Sequence, residues 1–231
     1  MTRRVLCVFG LICVLAAPSA SAQTPAAGQS GTGTTPNSAP IVHHWYVGGA
    51  AGASLVDSAS GTGSVEAGMR LWKNLDVLVE GGYAGNLATR REIDRAGTIG
   101  AFLSASLGSP VSSTVSVPSS YFAFGARWVL ESTSRYRPYG LLSVGGAAVD
   151  LKPKFVQNGA DITGSIGNFG VTLGSDISGK YRPLAIGGGV GVLVPLGPRW
   201  NVDGSVRILS INTVSQRTNL IRVIVGIDRR F

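Results

Sequence analysis

Segments with two-residue alternation of apolar and polar side chains, links that are by turns short and long, and aromatics gathered near the segment ends predict an all-β chain. The architecture they predict is an eight-stranded antiparallel up-and-down transmembrane β-barrel with short periplasmic turns and longer extracellular loops. Composition agrees. The 231 residues are 44% AVILMFWYC and only 14% charged, and they include 33 glycines, a balance that disfavours a helical bundle and favours strands and turns.

The first 22 residues read as a secretory signal. Arg3 and Arg4 form a basic n-region, residues 5–17 an apolar core too short to span a bilayer, and Ala20-Ser21-Ala22 a cleavage site before Gln23. Removal of Arg3 and Arg4 lowers the formal charge from +8 to +6. Both cysteines, Cys7 and Cys13, lie inside this segment, so the mature chain is expected to carry neither disulfide nor thiolate. Residues 23–42 are dominated by Gly, Ser, Thr, Pro and Ala and read as a flexible periplasmic linker; the barrel domain is expected over 43–231.

The strands follow in order. Residues 44–56 open the barrel with weak, Gly/Ala-rich alternation. In 63–71, Val65, Ala67, Met69 and Leu71 share one face, opposite Glu66 and Arg70; in 75–83, Leu75, Val77, Val79 and Tyr83 oppose Asp76 and Glu80. In 121–130, Phe122, Phe124, Ala126 and Trp128 oppose Arg127. Residues 137–149 and 182–194 are two further Gly-rich strands. In 201–209, Val202, Val206 and Ile208 oppose Asp203 and Arg207, and the last strand sets Ile221, Val223, Val225 and Ile227 against Arg222, Asp228 and Arg230.

Tight turns are expected at 72–74, 132–135 and 195–199, and longer links at 57–63, 89–118, 151–180 and 212–219. The four tryptophans, Trp45, Trp72, Trp128 and Trp200, all fall at the short-turn end, with Tyr136 and Phe231. Tyr83, Tyr121, Phe122 and Tyr181 fall at the other end, so two interfacial aromatic belts bracket an apolar band. The polar face carries Glu66, Arg70, Asp76, Glu80, Arg127, Asp203, Arg207 and Arg222. With lipid outside, these point into a lumen just wide enough for side chains to fill, where arginine forks can bridge carboxylates. A polar core that fills the barrel and fixes its register is the favoured reading of this network, over a gated pathway.

The signal peptide, the HWYVGGAAGASL opening, the eight-strand pattern and the terminal VGIDRRF resemble the small bacterial outer-membrane β-barrel family of OmpA-like and OmpX-like domains, over residues 43–231. The resemblance implies a C-terminal assembly signal, here Val223, Val225, Ile227 and Phe231, read by the barrel-assembly machinery. It departs from the family at Arg229, where an aromatic or apolar residue is usual. It also implies localisation in the cell outer membrane.

Chemistry has little support. A lipid-modifying enzyme of this class needs a His beside a Ser nucleophile, and His43 and His44 have no matching partners; they do not make a metal site either. Gly187–Gly191 lies inside a strand and lacks the helix and Lys of a phosphate loop. No cofactor and no nucleic acid is expected. Outer-membrane lipids and lipopolysaccharide are the expected partners, with Arg90, Arg91 and Arg95 in the second long link, and Lys152, Lys154 and Lys180 in the third, placed to meet phosphates. The expected role is structural, in membrane integrity or surface interaction, and non-catalytic. The alternatives are a narrow passive channel and, less favoured, a lipid-modifying enzyme.

Overall fold

The computed structural model describes residues 45–174, 177–212 and 217–231. The expected signal peptide and linker, His43 and His44, and the tip of the fourth long link lie outside the described residues. The elements are β1 (Trp45–Leu55), β2 (Ala59–Trp72), β3 (Leu75–Ala84), α1 (Arg90–Leu107), β4 (Val111–Ser116), β5 (Ser119–Val129), β6 (Arg137–Gln157), β7 (Ala160–Asp161), a 3-10 turn (Thr163–Phe169), β8 (Gly179–Tyr181), β9 (Leu184–Pro195), β10 (Trp200–Asn212) and β11 (Arg217–Arg230).

Eight of these strands close a ring. Antiparallel pairing runs β1-β2-β3-β5-β6-β9-β10-β11 and returns to β1, with Tyr46 opposite Arg230 and Leu55 opposite Ile221 at the seam. Closure pairs every strand on both sides, the condition for strands to cross hydrocarbon. The burial pattern is inverted relative to a water-soluble barrel. Val65, Leu142, Val190 and Val225 are each more than 60% exposed, whereas Asp76, Glu80, Arg127 and Arg207 are at most 2% exposed. In each strand the two-residue period sends the apolar set outward and the charged set inward.

Three inward tyrosines shape the lumen. Tyr46, Tyr121 and Tyr139 each sit opposite an inward glycine on the next strand: Gly68, Gly82 and Gly191. A Cβ at Gly68, Gly82 or Gly191 would stand 2.5, 2.2 or 2.6 Å from the facing tyrosine side chain. The rings therefore lie flat over bare backbone, which fills the lumen without widening it.

Several sequence expectations change. The link expected over 57–63 shrinks to three residues, because β2 begins at Ala59. Ser54 and Ser60 are register partners whose hydroxyls bond at 2.7 Å, so a Ser/Gly-rich stretch with loop composition is held as strand. Tyr121 belongs to the lumen rather than the outer belt, since its position shares the parity of Ala123 and Arg127. Tyr181 packs half-buried against an interior cluster. The third link is partly strand, because β6 continues to Gln157.

The second link is not a loop at its start: Arg90, Arg91 and Arg95 lie on α1. The Thr89 backbone N–H and hydroxyl both donate to the Glu92 carboxylate, at 2.8 and 3.0 Å, in a capping box, and Gly108 ends the helix at φ +62°. The Asp57 carboxylate accepts the Arg90 backbone N–H. Beyond the ring, β4 pairs with the protruding end of β6, and Leu103 of α1 meets Phe155 and Ile166 in a separate apolar core. The two long links thus build a small packed module above the barrel.

Candidate functional site

The lumen gathers the charged residues singled out in the sequence. Arg207 is the hub. Its Nη1 donates to Glu80 at 3.0 Å and to Glu66 at 3.2 Å, and its Nη2 donates to Glu66 and to Asp203, each at 3.1 Å. These residues arrive from β2, β3 and β10, so the hub ties strands on opposite sides of the ring. Arg127 from β5 donates to Glu66 at 3.2 Å and to Asp76 at 3.1 Å. Arg70 donates to the other Asp76 oxygen at 2.7 Å. Arg222 from β11 donates to Glu80 at 3.0 Å.

The tyrosines extend this network. Tyr121 donates to Glu80 at 2.6 Å and contacts Arg222, and Tyr139 donates to Asp203 at 2.8 Å. The Arg127 guanidinium lies 4.4 Å from the Tyr46 ring centre and 5.4 Å from that of Tyr139; Arg222 lies 4.7 Å from that of Tyr121. Sequence reasoning placed the carboxylates and arginines and missed the three tyrosines. The signal was there, since each has inward parity and faces an inward glycine in the neighbouring strand.

Toward the short-turn end the network becomes looser. Asn201 donates to Asp228 at 3.2 Å. The Tyr46 hydroxyl, one Asp228 oxygen and Arg230 Nη2 are buried without a protein partner among the described residues. At the opposite end the lumen combines an apolar cluster with buried hydroxyls, among them Ser54, Ser119 and Ser210. Inward Ala147, Val149, Leu209, Ile211 and Leu220 surround Leu87 and Ala88, which fold in from the second link. Asn86 fixes that segment: its side-chain oxygen accepts the N–H of Ala88 at 3.0 Å and of Val117 at 2.9 Å. A charged layer therefore sits under a largely apolar one.

The exterior matches a bilayer. Trp45, Trp72, Trp128 and Trp200 all point outward at the short-turn end, with Tyr136 and Phe231. Tyr83 and Phe122 point outward toward the other end. A groove of ≈ 640 Å³ opens on this outer face, not in the lumen, where Gly140 and Gly188 leave the sheet bare between Trp128, Leu142, Val190 and Ile208. Val223, Val225 and Ile227 face outward on β11, and the Phe231 N–H donates to the Trp45 carbonyl at 2.9 Å. Arg229 lies 5.0 Å from the Phe231 ring centre and 5.4 Å from that of Trp200, so its charge rests on the aromatic belt.

A closed antiparallel ring with a charged interior, an apolar exterior and aromatic belts defines an integral membrane β-barrel. The family model described as outer membrane protein beta-barrel domain matches residues 10–228. The chain belongs to that family and is an outer-membrane protein. Its short-turn end is accordingly periplasmic, and the module built by the long links is extracellular.

Among solved structures, neisserial surface protein A is similar, with 13% identity and a TM-score of 0.52, covering 81% of this chain and 97% of that one. The N-terminal β-barrel domain of Pseudomonas aeruginosa OprF is 12% identical with a TM-score of 0.42, covering 80% and 97%. The outer membrane enzyme PagL is 12% identical with a TM-score of 0.41, covering 79% and 97%. At these identities the likeness concerns the fold. No curated protein matches significantly.

Proposed function

We propose that this protein is a closed, non-catalytic structural barrel of the outer membrane that presents a packed module at the cell surface. One observation carries the reading: buried side chains occupy the lumen, as ion pairs at mid-depth and as Leu87, Ala88 and their apolar neighbours toward the extracellular end. In an eight-stranded ring, side chains suffice to occupy the interior. The five inward carboxylates, Glu66, Asp76, Glu80, Asp203 and Asp228, balance five arginines, Arg70, Arg127, Arg207, Arg222 and Arg230. Such balance suits a fixed core better than an ion-selective path, which lines its walls with one sign of charge.

Outer-membrane lipids surround the barrel, and the barrel-assembly machinery reads Val223, Val225, Ile227 and Phe231 during insertion. Liposome swelling tests the closed lumen. Proteoliposomes bearing the refolded protein swell in an arabinose solution no faster than protein-free ones; rapid swelling supports the passive channel instead. Lipid A mass spectrometry of an expressing strain tests the non-catalytic part: an unchanged acyl pattern is expected, and a lost or added acyl chain overturns it.

A further inference from the structure

We propose that the outward face formed by the protruding part of β6, by β8 and by the approach to β9 binds the phosphates of lipopolysaccharide in the outer leaflet. This rests on the membrane-barrel reading, since that fixes where the leaflet lies. Along β6 the outward positions run Leu142, Val144, Gly146 and Ala148, then Asp150, Lys152 and Lys154. On the neighbouring segment, outward Ile186 and Leu184 of β9 are preceded by exposed Arg182 and Lys180. Asp150 is the register partner of Lys180, which brings the two basic runs side by side.

The height fits. At a rise of about 3.3 Å per residue and a tilt near 40°, Lys152 stands about 10 Å above Ala148, the last apolar position of its face. From there a flexible lysine side chain can extend back toward headgroup phosphates just above the apolar band, and the cations sit where the lipid-facing surface of β6 runs into the base of the module. The charge also fits. Lys152 pairs with Asp150 at 2.9 Å and Lys154 with Asp161 at 3.6 Å, both as exposed and therefore weak pairs. Lys180 and Arg182 have no ion-pair partner among the described residues. Four cations thus face two carboxylates.

Neutral donors complete the match. Thr114 and Ser116 of β4 are the exposed register partners of Lys154 and Lys152. Hydroxyls interleaved with ammonium groups suit a phosphorylated sugar, which offers phosphate oxygens and ring hydroxyls together, better than the headgroup of a simple phospholipid. Arg90, Arg91 and Arg95 provide an internal comparison. The start of α1 is tied to Asp57 in the β1–β2 turn, and β1 and β2 lie across the ring from β6 and β9.

The test uses the mature chain purified from outer membranes, with bound lipopolysaccharide counted by native mass spectrometry. A Lys152→Gln, Lys154→Gln, Lys180→Gln and Arg182→Gln variant is expected to lose about ten-fold in retention. A variant with Arg90, Arg91 and Arg95 each changed to Gln stays within about two-fold of wild type, and an all-Arg version of the β6–β9 face regains binding. Refolded wild-type protein captures lipid A from mixed micelles and does not capture dephosphorylated lipid A. Full retention by the first variant, loss confined to the helix variant, or equal capture of dephosphorylated lipid A overturns the proposal. Heat-modifiable gel mobility is read on every sample; a wild type with no shift contradicts the barrel itself, a different failure.

Discussion

Replacing Arg207 with alanine perturbs the lumen at its hub. In the wild type this guanidinium holds Glu66, Glu80 and Asp203 at 3.0 to 3.2 Å. After truncation Glu66 keeps Arg127, and Glu80 keeps Arg222 and the Tyr121 hydroxyl. Asp203 keeps only the Tyr139 hydroxyl as a strong partner, in a site where it is 6% exposed. The variant therefore leaves one buried carboxylate without a directly paired cation, a defect that costs about 3–5 kcal/mol. With a urea slope of about 2 kcal/mol/M, the unfolding midpoint falls by roughly 2 M. Reversible urea unfolding in lipid vesicles measures it, and the four belt tryptophans report departure from the bilayer through their fluorescence. Combining Arg207→Met with Asp203→Asn removes the stranded charge and recovers about half of the loss. An alanine variant within about 0.5 kcal/mol of wild type, or a double variant whose loss equals the sum of the singles, would refute the reasoning.

Three further outcomes follow from the same geometry. Gly82→Ala places a methyl 2.2 Å from the Tyr121 hydroxyl and should lower stability by about 1–3 kcal/mol, whereas Gly204→Ala, with nothing within 4 Å, should leave the urea midpoint nearly unchanged. Deletion of Phe231 should reduce barrel assembly in cells, scored by protease resistance and heat-modifiable mobility, while refolding into detergent proceeds; normal assembly would remove the C-terminal signal from the account. In the exposed pair joining two periplasmic turns, the hydrogen bond and charge of Lys73 hold the Glu131 carboxyl below its usual range, and Glu131 raises Lys73 in turn. A lowered carboxyl pKa contributes only above the unfolded value and is lost as pH falls through the folded one. Because both groups are solvent-screened, Glu131→Gln should leave the urea midpoint at pH 7 within error, and a clear drop would show a coupling that exposure argues against.

The ring was legible because a lipid exterior and a packed interior impose a strict two-residue period on each strand, and eight inward charges follow from parity alone. Gly and Ser misled where they occur in strands. Residues 59–63 have loop composition, yet they pair because Ser60 and Thr62 find inward hydrogen bonds to Ser54 and to the Tyr83 carbonyl. Tyr121 was assigned to a belt by its place near a strand end, although its parity with Arg127 turns it inward. Helix α1 was missed despite its signals, Thr89-x-x-Glu92 and Gly108, with Ala96, Leu103 and Leu107 at helical spacing. The way Leu87 and Ala88 reach the mouth was beyond sequence reasoning: the Asn86–Ala88 bond is a local Asx turn, but the bonds that tie this segment to Val117 cross about 30 residues and no local pattern encodes them.

Closure of this barrel by its own side chains is the property on which the proposed role rests. Single-molecule recording of the refolded protein in a planar lipid bilayer, at 1 M KCl, tests it most directly. The structure predicts flat traces without unitary steps across the full voltage range. Stable, reproducible conductance steps from the wild-type protein would contradict it.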